Sequence, residues 1–141
     1  MTAVSTLDAL ADCYEAECRS LIGHLSHSSP FISWLAVPDQ AAIRRIIADE
    51  SDHERRLFDL MLELDGSPPP AIRGTETGAI AYLDLRALLP RITADKRRLL
   101  AAYEANAPKL AGDKRASALV SAILDDERRH LIELQRIEKT H

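Results

Sequence analysis

The run from Ile43 to Leu64 has apolar residues at 43, 46, 47, 57, 60, 61 and 64. That spacing makes one buried stripe on a helix. Glu50 and His53 fall in the same stripe, which reads Ile43, Ile46, Glu50, His53, Leu57, Leu60, Leu64. A fold of this chain must therefore bury a carboxylate and an imidazole where core side chains belong. Such groups need a compensating partner or a metal.

The pattern Asp49-Glu50-Ser51-Asp52-His53 returns 77 positions later as Asp126-Glu127-Arg128-Arg129-His130. The second seam reads Val120, Ile123, Glu127, His130, Leu134, Ile137. Residues three apart share a helix face, so each segment presents one oxygen and one nitrogen ligand in one direction.

Two further helices carry an acid in their seams. Ser5-Thr6-Leu7-Asp8 resembles a capping box and predicts a first helix from near Thr6. Its seam is Leu7, Leu10, Tyr14, Glu17, Leu21, His24. His24, one heptad beyond Glu17, reads either as a hydrogen-bonded core histidine or as a residue beside the site. Ser28-Ser29-Pro30 is expected to break or kink this helix, and Pro38 to open the second. The third helix, roughly Gly78 to Asn106, has the seam Ala81, Leu85, Leu88, Ile92, Asp95, Leu99, Ala102. Pro90 lies inside it and is expected to kink it or to leave its local backbone hydrogen bonds unmade. The fourth helix runs from about Lys114. Glu17 precedes Glu50 by 33 residues and Asp95 precedes Glu127 by 32, so the halves form a loose repeat.

These runs predict an all-α chain, an antiparallel four-helix bundle in one domain spanning residues 1–141. The Pro- and Gly-rich stretch from Ser67 to Gly78 is the one long connection, a crossover between helices two and three. The formal net charge of -4 argues against a nucleic-acid partner. No apolar run has the length of a membrane span, and no signal-peptide pattern opens the chain. Cys13 and Cys18 point in different directions on a helix, so they are expected to stay unpaired, which fits a cytoplasmic location.

Two Glu-x-x-His segments and two further acids, meeting at the mid-height of a bundle, form a ligand set suited to two iron or manganese ions. Asp49 and Asp126, each one residue before a glutamate, are placed to hold a histidine of the opposite helix.

On these residues the chain resembles the ferritin-like superfamily, in particular bacterioferritin and rubrerythrin-like domains, over nearly its whole length. The resemblance implies that Glu50 and Glu127 bridge two iron ions, for which manganese or zinc would substitute. It implies that His53 and His130 bind one ion each, that Glu17 completes the His53 end, and that Asp49 and Asp126 lie in the outer shell. Tyr14 and His24 are further candidates there. No catalytic residue is expected beyond the metal site.

The sequence departs from the family in three places. The third-helix glutamate of the family, at a 33-residue spacing, falls on Ala94, with Asp95 beside it and about 100° around the helix. The methionine that binds haem in bacterioferritin is replaced by Ser51, so no haem is expected. Only eleven residues follow His130, which predicts a homodimer rather than a 24-subunit cage. The expected activity is oxidation of ferrous iron or reduction of dioxygen or peroxide. The alternatives are a non-catalytic interaction module whose site is incomplete, with one metal or none, and a di-metal oxygenase acting on an organic substrate.

Overall fold

A computed structural model describes residues 3–24, 35–64 and 85–140. Helix α1 spans Ala3–Cys18 and is followed by a single turn, α2, at Leu21–His24. Helix α3 spans Val37–Glu63, α4 spans Leu85–Asn106 and α5 spans Lys114–Thr140. A 3-10 turn, Ala107–Leu110, joins the last two. The crossover, the Ser28-Ser29-Pro30 break and the first part of the expected third helix lie outside the described residues.

The ends of these helices follow from local chemistry. Pro38 sits in the first turn of α3, where its missing N–H has no intrahelical acceptor to lose. Asp113 precedes α5, and its Oδ1 accepts the Ala116 amide at 3.0 Å. Helix α1 starts at Ala3, ahead of the Thr6 start that the sequence predicts, and Thr6 is buried within it. The chain leaves the α1 helix at Arg19 and Ser20. There the Ser20 amide donates to Glu17 O at 2.9 Å, a tightened last turn. Pro90 is exposed within α4, and the helix runs through it.

Helix α1 packs on α3 and α4, and α5 packs on the same two. One apolar cluster joins Leu10 and Cys13 of α1, Leu57 and Met61 of α3, Leu99 and Tyr103 of α4, and Val120 and Ile123 of α5. The other joins Ile22 of α2, Ile43 and Ile46 of α3, Leu88 and Ile92 of α4, and Leu134 and Ile137 of α5. The late part of α3 thus meets the early parts of α1 and α5, so each packed pair runs antiparallel. The four long helices form a bundle. Between the two apolar clusters lies a polar layer of Glu17, Glu50, His53, Lys96, Glu127 and His130, every one of them buried.

Candidate metal centre

Four ligand-type side chains converge in that layer. One ligand atom each from Glu17, Glu50, His53 and Glu127 lies within 4.8 Å of all the others. The helical seam explains the convergence, because Glu50 and His53 are three apart on α3 and Glu127 stands opposite them on α5. Glu17 reaches the group from α1.

The two histidines are held by reciprocal contacts between α3 and α5. His53 Nε2 lies 2.8 Å from Asp126 Oδ2, and His130 Nε2 lies 2.8 Å from Asp49 Oδ2. An ionised carboxylate can only accept, so each Nε2 donates, and in the neutral imidazole Nδ1 then keeps its lone pair. The consequences differ at the two ends. His53 Nδ1 faces Glu17 Oε1 at 3.2 Å and Glu127 Oε1 at 3.1 Å. Glu17 Oε2 and Glu50 Oε2 are also buried without a hydrogen-bond partner. Burial, followed by the Glu50 charge beside it, raises the Glu17 carboxyl well above the usual range. The donor set at the His53 end fits a cation. Tyr103 contributes a direct hydroxyl contact, donating to Glu17 Oε1 at 2.6 Å. Burial and Glu17 push its own phenol well above the ordinary value.

No protein-family model matches the sequence, and no curated protein matches it. Solved structures do. A ferritin-like diiron-carboxylate protein of Bacillus anthracis aligns with a TM-score of 0.74 at 17% identity, covering 98% of this chain and 99% of that one. A bacterioferritin of Mycobacterium tuberculosis gives 0.76 at 22% identity, over 93% of this chain and 82% of that one. A bacterioferritin of Desulfovibrio desulfuricans, its diiron site described in different catalytic states, gives 0.74 at 16% identity, over 97% and 81%. This chain has the ferritin-like fold.

Within this ferritin-like bundle the His130 end differs from the ligand set the sequence predicts. Asp95 does not reach the cluster. Its Oδ2 accepts the Leu21 amide at 2.8 Å and its Oδ1 accepts from Arg98 at 3.1 Å. The side chain that enters from α4 is Lys96, 1% exposed. Its Nζ lies 2.5 Å from Glu50 Oε1, 2.8 Å from Glu127 Oε2 and 3.4 Å from His130 Nδ1. Burial lowers the Lys96 ammonium's hold on its proton, but Glu50 and Glu127 outweigh it and the balance is upward. Burial likewise works to raise the Glu127 carboxyl. His130, His53 and Lys96 overcome it and hold Glu127 well below the usual range. His130 is lowered by burial and by Lys96 but raised more by Glu127 and Glu50. The buried stripe of α4 is Ile92, Lys96, Leu99, Tyr103, one residue on from Asp95 and Ala102.

Of the remaining sequence candidates, Tyr14 is buried and packs against Phe58, ring centroids 6.0 Å apart, in the apolar cluster. The His24 side chain lies outside the described ones. Both cysteines are buried thiols outside any disulfide, and burial pushes the Cys13 thiol up to about 12. A cavity of about 350 Å³ lies against His130 and Asp49, lined also by Arg45, Arg129 and Ile132. Among the described residues, no helix is long and apolar enough to cross a membrane.

Proposed function

We propose that this protein binds a divalent metal cation in the core of its bundle, with Glu17, Glu50, His53 and Glu127 as the ligands. The observation that carries this reading is the convergence of those four buried side chains, with two carboxylate oxygens left unpartnered beside them. Three carboxylates and one neutral imidazole favour iron or manganese over soft-ligand metals. The diiron-carboxylate protein and the bacterioferritins of the same fold support iron in particular. When bound, iron would supply redox chemistry toward dioxygen or peroxide, which is the activity we propose in its coarse form.

The residues themselves hold and tune that ion. Asp126 fixes the His53 ring so that Nδ1 points inward. Tyr103 orients Glu17. Two apolar clusters close the layer above and below. We further propose a cytoplasmic homodimer. Phe58 and Leu62, one turn apart on α3 and both exposed, supply an apolar strip for self-association.

Titration of metal-free protein with Fe(II) under anaerobic conditions, followed by desalting and elemental analysis, tests the reading. Retained iron in the wild type, lost in His53→Ala and reduced in Glu17→Gln, is the expected result. Wild-type protein that retains none, or His53→Ala that retains as much, would sink it.

A further inference from the structure

The inference rests on the metal-binding reading above and deepens it. We propose that the Lys96 ammonium stands in the place of a second cation, so that the centre holds one divalent ion at the His53 end and one tethered positive charge at the His130 end.

The hydrogen-bond arithmetic is complete at Lys96. An ammonium has three protons, and Nζ has two carboxylate acceptors within reach, on Glu50 and Glu127, and lies 3.4 Å from His130 Nδ1, a third acceptor in the tautomer whose Nε2–H donates to Asp49. Those three atoms are one glutamate oxygen from each Glu-x-x-His segment and the imidazole of the second. Glu127 spans the two ends, with Oε1 on His53 and Oε2 on Lys96. Glu50 is placed alike, with Oε1 on Lys96 and Oε2 unpartnered. Lys96 therefore relates to both glutamates as a metal would, on the side away from His53.

Charge leads to the same count. Glu17, Glu50 and Glu127 bring three negative charges to a layer shut off from water. One divalent cation and one ammonium balance them. Two divalent cations together with the ammonium would leave an excess of two positive charges in the core, which a low-dielectric interior resists. Nothing on α4 offers a replacement ligand, since Asp95 is engaged by Leu21 and Arg98. Lys96 is 1% exposed, so its ammonium has no solvated position to retreat to without opening the bundle. The wild-type centre then operates with a single redox ion. A carboxylate at position 96 would create a second metal seat by supplying the missing acid and removing the tethered charge.

The test is the count of Mn²⁺ retained per chain, with Mn²⁺ alone added to metal-free full-length protein. One equivalent in the wild type and two in Lys96→Glu are expected. Two in the wild type, or one in a Lys96→Glu variant that keeps its helical circular dichroism, would overturn the tethered-cation role while leaving the His53-end site standing. None in either protein would overturn both. Anomalous scattering from Mn²⁺-loaded wild-type crystals decides the matter without a variant. A single peak beside His53 is the expected result. A second peak among Glu50, Glu127 and His130 would overturn the proposal.

Discussion

The Asp95 carboxylate accepts the Leu21 amide proton at 2.8 Å, so a residue of α4 closes the first turn of α2. One position further along α4, about 100° around the helix, Lys96 points into the polar layer instead. The two neighbours thus have separate duties. Replacing Asp95 with alanine removes a helix-capping acceptor and should cost about 1 kcal/mol of stability, the usual worth of such a cap. Metal stoichiometry should not change. Urea denaturation and Mn²⁺ titration of the variant check both halves. Loss of metal with unchanged stability would contradict the assignment.

Lys96 should matter most when no metal is present. Its ammonium is then the one lysine or arginine charge, among the described residues, that the buried Glu50 and Glu127 carboxylates contact. Breaking a buried pair from one side leaves an uncompensated charge, so Lys96→Met should lose about 3–5 kcal/mol in metal-free protein. Added Mn²⁺ should return a large part of that loss, because the cation takes over the neutralisation. Denaturant midpoints with chelator and with Mn²⁺ give the comparison. A variant as stable as the wild type in chelator would show that those carboxylates are not held as ions.

The bundle was legible because two seams with the same interruption recur at a fixed distance, and the interrupting residues are rarely buried without a purpose. Glu50, His53, Glu127 and His130 could be read for that reason. Lys96 could not. The sequence admits two stripes on α4 that share Ile92 and Leu99, one passing through Asp95 and Ala102, the other through Lys96 and Tyr103. Hydropathy disfavours a lysine in a core, and expectation favours an acid where three other helices carry one. Both considerations point to the wrong stripe. Charge decides in favour of Lys96, since a layer already holding three carboxylates stabilises a buried ammonium. Tyr103, seven residues after Lys96, went unread with it. The break at Ser20 was hidden for a related reason. It depends on Asp95, a partner 74 positions away that no local pattern reveals.

Asp126 holds His53 through Nε2 at 2.8 Å from a half-exposed position on α5. Asn at this position keeps the size but not the charge, so the imidazole loses its fixed tautomer. Affinity for the metal should fall about 10- to 100-fold, the usual effect of removing such a partner, while the fold is retained. Competition against a chelator of known affinity measures the change. An unchanged affinity would mean that the apolar packing alone orients His53.

Cys13 offers a pH test in metal-free protein. Burial first, then Asp12 and Glu17, push its thiol from 9.0 up to about 12. The unfolded thiol ionises first, so the stabilising contribution is whole below pH 9.0 and is lost as pH climbs toward 12. The loss should run at about 1.4 kcal/mol per pH unit. Cys13→Ala should flatten the stability profile between pH 9.0 and about 11, measured by urea denaturation of the two proteins. Parallel profiles would show that the folded thiol titrates normally. Thiol reagents at neutral pH should label Cys13 only after unfolding.

Tyr103 and Glu17 make the last comparison. The 2.6 Å hydrogen bond from the phenol is a main support of Glu17 Oε1, and Oε2 has no hydrogen-bond partner among the described residues. Tyr103→Phe preserves the ring in its apolar cluster and removes only the donor. A buried group left unsatisfied costs about 1–3 kcal/mol, which is the loss expected for metal-free protein. With Mn²⁺ bound, the same carboxylate would have a cation to satisfy it, so the loss should shrink. The variant should therefore gain more stability from Mn²⁺ than the wild type does at equal saturation. Equal losses with and without metal would place Glu17 outside the ligand set, because the ion would then do nothing for the oxygen that Tyr103 leaves behind.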